Sequence, residues 1–168
     1  MDVSKMNVDD AQILKLRDAP EYMDQVVQQN HDEWRDLLGL DRTEMAALFN
    51  ADHPDNSLPV TLIVLLYGQY IGCGSLRDGP LGKRKFPGAY HNDLPWVSDV
   101  WVHPDARGQS LARRIITALE EEARTCGYDR LYISTTIPKN ALYDRMGYTQ
   151  VSTSKLNGTP LRSLRKRL

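Results

Sequence analysis

The alternation of strand and helix between residues 95 and 137 constrains the fold of this chain more than any other part of the sequence. An apolar strand is predicted at residues 95–102 and a β-branched strand at 131–137. Between them, residues 107–126 repeat apolar side chains every three or four positions, which predicts an amphipathic helix that Gly127 ends. This alternation predicts helices packed on a sheet.

The remaining segments extend this sheet. Two β-rich runs meet at Tyr67-Gly68, which predicts a hairpin. Further strands are predicted at residues 11–16, 60–67, 69–76, 148–151 and 161–168, the last two flanking a loop that contains Asn157-Gly158. Helices are predicted at 20–38, 44–49 (capped by Thr43) and 138–146, and a loop at 81–92. The pattern predicts an α/β (α+β) fold in one domain, residues 1–168, with a mixed sheet and helices on both faces.

Composition narrows the class of protein. The 168 residues are 41% hydrophobic and carry a net charge of −1, which suits a globular domain and argues against a polyanion binder driven by overall charge. Cys73 and Cys126 do not form a disulfide framework. The first residues lack the apolar core of a signal peptide, and no apolar run is long enough to span a bilayer. We therefore expect a cytoplasmic protein without membrane or nucleic-acid partners.

Several reactive or charged residues are expected to be structural. The four histidines lack metal-ligand spacing, so no metal is predicted. Cys73 lies in an alternating strand between glycines and is expected to be a packed thiol. The basic end of the chain, residues 162–168, is expected to be a solvated edge strand whose charge opposes aggregation.

Three arginines gather near the start of the helix predicted at residues 107–126. Arg107, Arg113 and Arg114 lie towards the positive end of the helix dipole, whereas acidic residues follow only at 120–122. Neither Arg113 nor Arg114 has an acidic residue three or four positions away. Either an anion such as phosphate binds at this N-terminus, or the arginines are solvated.

This segment resembles the cofactor-binding motif of the GNAT superfamily of N-acetyltransferases. The motif residues here are Arg107, Gly108, Gln109, Ser110, Leu111 and Ala112. The resemblance implies a mostly antiparallel sheet with a splayed parallel strand pair, and a turn whose backbone N–H groups hold the pyrophosphate of acetyl-CoA. By the same resemblance, further contacts to the cofactor are expected from Val100, Trp101, Val102, Arg113 and Thr136.

Ser110 departs from the motif, which has glycine at this position. Glycine permits a positive φ or a very close backbone approach. If the backbone here is ordinary helix, serine costs little and its hydroxyl can meet a phosphate. If the approach is tight, its Cβ weakens binding. We expect Ser110 to lie on the helix, which favours the first alternative.

The segment from Lys139 to Val151 resembles the family's second signature through Tyr143, Gly147 and Tyr148. By this resemblance, Tyr143 is expected to donate a proton to the departing CoA thiolate. A phenol of pKa ~10 can protonate a thiolate whose thiol has a pKa of ~8.5 only with local help, but it can orient and stabilise the sulfur.

The general base is missing from its usual place. By the family pattern it falls at Trp96 or Ser98, neither of which titrates. Strand alternation places these two residues with Val100 and Val102 on one face, and Asp99 on the other unless a bulge redirects it. Three alternatives remain: a water held by Ser98, a loop residue such as His91 or Asp93, or an acceptor amine of low pKa.

The resemblance implies an acetyl-CoA-dependent N-acetyltransferase that acts by direct attack in a ternary complex. Ser98 and Tyr143 are its candidate catalytic residues. The acceptor is a small amine, a polycation that Asp52, Asp55 and Asp93 would favour, or a peptide or protein amino group, and homodimers are common in the family. The alternative is a non-catalytic acyl-CoA-binding module of the same fold.

Overall fold

The computed structural model describes residues 7–49, 57–80, 94–139 and 141–168. The loop predicted at 81–92, the four residues Asp52, Asp55, His91 and Asp93, and the first six residues lie outside them. Among the described residues, no helix is long and apolar enough to cross a membrane.

Seven strands form one mixed sheet in the order β1-β2-β3-β4-β5-β7-β6. The strands are β1 (Gln12–Lys15), β2 (Val60–Leu66), β3 (Gln69–Arg77), β4 (Trp96–Val102), β5 (Arg130–Thr135), β6 (Thr149–Leu156) and β7 (Thr159–Arg167). β4 and β5 are parallel, and all other neighbours are antiparallel. The predicted fold class is confirmed, including the hairpin at Tyr67-Gly68 and the final pair of strands.

In the described ranges, four α-helices flank the sheet: α1 (Met23–Leu38), α2 (Arg42–Ala47), α3 (Leu111–Thr125) and α4 (Leu142–Arg145). The apolar stripe of α3 packs on one face with Val64, Ile71 and Val97. α1 and α2 cover the other face through Val26 and Met45. α3 thus buries its apolar stripe against the sheet, as its periodicity predicted.

Helix boundaries are where the sequence-based predictions were least accurate. α2 begins at Arg42, because Asp41 and Glu44 form a reciprocal capping box; Thr43 is therefore not the cap. α3 begins at Leu111 rather than at Arg107. α4 spans only four residues, far fewer than the nine predicted.

The basic end of the chain is not an exposed edge strand, contrary to expectation. β7 lies between β5 and β6 and pairs with both. Lys166 donates to both carboxylate oxygens of the buried Glu120 at 2.8 and 2.9 Å, and Arg162 forms an ion pair with Asp144. These cations therefore bind specific carboxylates, because an interior strand brings them against α3 and α4.

Gly74 of β3 sets how closely α3 approaches the sheet. A Cβ placed there would lie 2.7 Å from Cγ2 of Ile115 and 3.1 Å from Cδ1 of Leu119. Both side chains are fully buried. The helix can therefore pack at this distance only on a residue without a side chain.

Gly74→Ala is expected to lower the free energy of unfolding by about 1–3 kcal/mol, because overpacking displaces α3. Chemical denaturation of the wild type, Gly74→Ala, Ile115→Ala and the double variant measures this. Since Ile115→Ala removes the clashing Cγ2, the double variant should lose less stability than the sum of the two single changes. Strictly additive losses would show that the contact does not limit the packing.

Candidate active site

A β-bulge at Asp99 distorts the centre of β4. Ser75 of β3 pairs with Ser98 and Cys73 pairs with Trp101, so that one residue of β3, Gly74, lies opposite two residues of β4. Asp99 has a positive φ of 46°, which a bulge accommodates and regular strand geometry does not. The extra residue resets the alternation of side chains along β4.

The predicted facing of β4 is therefore wrong in its second half. Ser98 pairs with Ser75, and the Asp99 carboxylate bonds to the same serine, so both side chains lie on the face covered by α1. Val100 packs with the α3 cluster, on the opposite face. The bulge therefore places Asp99 on the same face as Ser98, whereas strict alternation predicted opposite faces.

A buried network holds the Asp99 side chain. Its Oδ2 accepts from Ser75 Oγ at 2.5 Å and its Oδ1 from Arg77 Nε at 3.1 Å. The Asp99 side chain is 0% exposed and that of Arg77 is 6% exposed. Arg77 also donates to the carbonyl of Leu48 at 2.7 Å and lies over the ring of Phe49. Asp99 is thus a structural anion that joins the bulge to the end of α2.

The strands β4 and β5 separate after Val97, just before the bulge. Their pairing is limited to Trp96 with Tyr132 and Val97 with Ile133. A cavity of about 210 Å³ lies where they part. Its walls come from the two strands, from α1, from the final hairpin and from the segment leading to α4; they include Ser98, Asp99, Val100, Ser134, Thr136, Tyr143, Glu33 and Trp34.

Three of the predicted site residues on different elements meet in this cavity. Ser98 lies on β4, Thr136 directly after β5, and Tyr143 on α4. Tyr143 is buried, and this desolvation raises the pKa of its phenol to about 12. Its hydroxyl therefore stays protonated at neutral pH and can donate a hydrogen bond to an atom in the cavity.

The short helix that carries Tyr143 is held by the Arg162–Asp144 ion pair. Arg162 donates through Nη2 to Oδ1 of Asp144 at 2.7 Å, through Nη1 to Oδ2 at 3.1 Å, and to the carbonyl of Ile137 at 3.2 Å. The Tyr143 ring also meets Tyr148 edge-on, with centroids 6.1 Å apart. A four-residue helix has little stability of its own, so these contacts fix the orientation of the tyrosine.

The turn before α3 exposes a row of unpaired backbone donors. Gly108 and Ser110 both have positive φ, 77° and 62°. The hydroxyl of Ser110 makes no capping bond, and the first bond into the helix runs from Arg114 N to Ser110 O. Within the described parts of the chain, the N–H groups of residues 111–113 have no protein acceptor. Such a helix start favours an anion.

Ser110 therefore does not lie on the helix, contrary to expectation. Its backbone is in the left-handed region that glycine adopts most easily. The motif has glycine at this position because the turn requires a positive φ. Serine adopts this φ at a cost of about 1–2 kcal/mol. A Cβ at the neighbouring Gly108 would meet no atom within 4 Å, so the turn itself is open.

The three arginines near this turn differ in their contacts. Arg114 donates to the carbonyls of Val8 at 2.6 Å and Ala11 at 2.9 Å, so it needs no anion. Arg107 donates through Nε to the carbonyl of Val102 at 3.0 Å and leaves the rest of its exposed guanidinium free of bonds to the described residues. Arg113 is exposed at the first turn of α3 and has no protein partner among them.

A second depression, a groove of about 670 Å³, runs along α1 beside the end of β4. Trp101 and His103 line it opposite Asp24, Asp32, Glu33 and Arg42. Trp101 stacks on Tyr70 at 5.7 Å and does not line the cavity between the strands. Glu33 and Trp34 were missed in the sequence because they lie in an ordinary amphipathic pattern, and only the packing of α1 brings them to the cavity.

The thiol of Cys73 is buried beneath α1, as predicted. Its Sγ lies 3.4 Å from the carbonyl of Asp99, and burial raises its pKa to about 12. A thiol in this environment is protonated at neutral pH and is a poor nucleophile. Among the described residues, no three histidine, cysteine or carboxylate side chains are placed to share a metal ion.

Comparison with known proteins agrees with this geometry. Residues 23–148 match the model of the acetyltransferase (GNAT) family. An IAA acetyltransferase from Azospirillum brasilense is 28% identical over 93 residues, which are 52% of each chain. The matched part thus spans about half the length of this curated relative.

Proteins of known structure that share this fold are named for different acceptors. An aminoglycoside 6′-N-acetyltransferase complexed with coenzyme A superposes with a TM-score of 0.67 at 15% identity, covering 93% of this chain and 96% of its own. A ribosomal-protein-alanine N-acetyltransferase from Brucella melitensis gives 0.68 at 19% identity, with coverage of 94% and 99%. At these identities the likeness concerns the fold alone.

Asp99→Ala is expected to lower the free energy of unfolding by about 3–5 kcal/mol, because it leaves the Arg77 guanidinium buried without its anion. Asp129→Ala is the matched control: Asp129 pairs with Arg130 at 2.8 Å, but both side chains are about half exposed or more, so the loss should be much smaller than that of Asp99→Ala. Equal losses in denaturation would show that the buried pair does not hold the bulge.

Ser110→Val is expected to destabilise the protein by about 1–2 kcal/mol, because a β-branched residue tolerates a positive φ poorly. Ser110→Gly should change stability by less than ~1 kcal/mol, since relief of strain and loss of chain entropy oppose each other. Thermal unfolding of the two variants compares them. If valine is tolerated as well as glycine, the left-handed turn is not a constraint.

Proposed function

Because the chain belongs to the GNAT family of acetyltransferases, we propose that it transfers an acetyl group from acetyl-CoA to a primary amine by direct attack in a ternary complex. The observation that carries this proposal is the cavity between β4 and β5. Ser98 and Val100 line one side of it and Thr136 the other, with Tyr143 beside them. This arrangement leaves room for a narrow acyl chain between two strands that would otherwise be hydrogen-bonded.

The exposed turn before α3 fits the pyrophosphate of acetyl-CoA. The N–H groups of residues 111–113 have no competing acceptor in the part of the chain that the structure describes, and no acidic side chain lies in the first turn. Arg107 and Arg113 add positive charge at the same place. Bound there, acetyl-CoA supplies the activated thioester, and residues 107–113 hold its phosphates by backbone and side-chain donors.

The opening between the strands also supplies donors for the acyl group. β4 loses its pairing with β5 after Val97, which frees backbone groups from Ser98 to Val100 towards the cavity. A backbone N–H in this position stabilises the negative charge that develops on the carbonyl oxygen during attack. The buried Asp99 side chain fixes this backbone through its bonds to Ser75 and Arg77.

Tyr143 is proposed to donate a hydrogen bond to the CoA sulfur as the thiolate leaves. Its raised pKa, about 12 through burial, keeps the donor protonated across the neutral range. The phenol therefore stabilises the thiolate chiefly by hydrogen bonding. The sulfur becomes a thiol when it takes up a proton, and solvent restores the proton to the group that gave it. The predicted cofactor contacts from Trp101 and Val102 stay predictions. Trp101 lines the groove along α1, and the Val102 side chain is buried in the core.

A non-catalytic acyl-CoA-binding module is the second candidate. It is favoured by the strained Ser110 and by the base positions Trp96 and Ser98, both buried and neither titratable. The two functions differ in one measurement. Purified protein is incubated with acetyl-CoA and a panel of amines (spermidine, kanamycin and a short peptide with a free N-terminus), and free CoA thiol is recorded. Release above the amine-free rate supports transfer, whereas binding of acetyl-CoA without any release supports the module.

Tyr143→Phe is expected to lower kcat by about 10²-fold or more, while the Kd for acetyl-CoA changes by less than about twofold, because the lost hydrogen bond forms fully only as the sulfur becomes charged. Steady-state kinetics and calorimetry measure the two quantities. Tyr67→Phe is the control, since Tyr67 lies at the β2–β3 turn, away from the cavity. Unchanged turnover in Tyr143→Phe would remove this residue from the mechanism.

A further inference from the structure

Glu33 is the residue that the cavity and the groove have in common. The cavity between β4 and β5 and the groove along α1 are lined by different sets of residues, and Glu33 alone, among the described residues, belongs to both sets. It lies on the exposed side of α1, near the end of the helix. Its carboxylate therefore borders both depressions.

The other titratable side chains that the structure describes in the cavity lining are Asp99 and Tyr143. The Asp99 carboxylate is 0% exposed and bound by Ser75 and Arg77, so an incoming amine does not reach it. Tyr143 holds its proton, because burial raises its pKa to about 12. Among the described residues lining the cavity, this leaves Glu33 as the carboxylate that solvent and substrate can reach.

The neighbouring carboxylates of the groove are engaged, and Glu33 is not. Asp24 forms an ion pair with Arg42 at 2.9 Å. Asp32 accepts from Gln28 at 3.0 Å and lies 3.7 Å from Nδ1 of His31. In the part of the chain that the structure describes, the Glu33 carboxylate has neither a hydrogen-bond donor nor an ion-pair partner.

We propose that Glu33 is the general base that deprotonates the acceptor amine, an assignment that rests on the proposed acetyl transfer. A lysine-like amine is mostly protonated at neutral pH and cannot attack until it loses a proton. The ammonium gives one proton to the Glu33 carboxylate, which passes it to water. The freed nitrogen lone pair forms the N–C bond to the thioester carbonyl, and the C–S bond breaks as its electron pair leaves on sulfur.

The remaining proton balance closes on the same groups. The attacking nitrogen loses a second proton as the amide forms, and the sulfur gains one to become the thiol of CoA. The net reaction therefore releases one proton per amide. Besides Glu33, the charged or titratable groups that face this path are Asp24, Asp32, Arg42, His103, Asp99 with Arg77, and Tyr143.

The test compares Glu33→Gln with the wild type on the amine of the panel that gives the fastest CoA release. The facing groups are the same in both proteins and affect both pH profiles alike. Dividing the kcat/KM of the wild type by that of the variant at each pH therefore removes their contribution. At pH 7 the variant should be lower by about 10²–10⁴-fold, the usual contribution of a general base. As the pH rises towards the amine's pKa, near 10.4 for a lysine-like amine, the gap should narrow by up to about tenfold per unit.

Two further variants separate chemistry from structure. Glu33→Asp keeps a carboxylate at a shorter reach and should retain more activity than Glu33→Gln. Asp36→Asn makes the same change of charge on α1 at a side chain that is 98% exposed and lines neither depression, so its kcat/KM should equal that of the wild type. The affinity of Glu33→Gln for acetyl-CoA, measured by calorimetry, should change by less than about twofold.

The outcomes separate this proposal from the function on which it rests. Transfer by the wild type with equal kcat/KM in Glu33→Gln overturns the assignment and leaves the function intact. A loss of the same size at every pH also overturns it. Raising the pH deprotonates the amine and so compensates for a missing base, but it does not compensate for a residue that only positions the amine. If the wild type binds acetyl-CoA but releases no CoA with any amine of the panel, the proposed function fails and the role of Glu33 fails with it.

Discussion

The buried ion pair between Arg77 and Asp99 is the interaction on which the site depends. It fixes the bulge of β4, and the bulge determines which backbone groups and side chains face the gap between β4 and β5. Two charges are removed from water here, which costs several kcal/mol per ion unless every lone pair and proton is satisfied. Ser75 and the carbonyl of Leu48 supply the additional bonds that this requires.

A second set of charges supports the opposite wall of the cavity. Arg162 of β7 anchors α4 through Asp144, and Lys166 binds Glu120 of α3, which also accepts from the Tyr148 hydroxyl at 3.0 Å. The final strand therefore connects the helix that carries Tyr143 with the helix whose N-terminus faces the proposed phosphates. Both walls are thus supported by partly or fully buried ion pairs, while the described lining of the gap itself carries two carboxylates, the buried Asp99 and the exposed Glu33, among neutral groups.

The order of strands and helices could be predicted from the sequence, because apolar periodicity and turn residues are local signals. The bulge could not be predicted, because Asp99 fits the alternating pattern of the strand. Its partners Arg77 and Ser75, which hold the extra residue in place, lie 22 and 24 residues earlier in the chain. Ser110 was placed on the helix because its neighbours continue the helical pattern, whereas its φ of 62° follows from the turn that precedes them. The partners of the two arginines could not be predicted either, because they are distant in the chain. The partners of Arg114 lie 103 and 106 residues away, and the carboxylate partner of Arg162 lies 18 residues away.

The proposed cofactor site joins two parts that lie on different elements, the turn before α3 and the opening between β4 and β5. Hydrogen–deuterium exchange with and without acetyl-CoA tests both in one measurement. If acetyl-CoA binds as proposed, it should slow amide exchange at residues 108–114 and also at residues 98–101 and 134–137, with little change in β1 and β2. Slowing confined to another surface, or no change at saturating acetyl-CoA, would contradict the placement of the cofactor and with it the proposed mechanism.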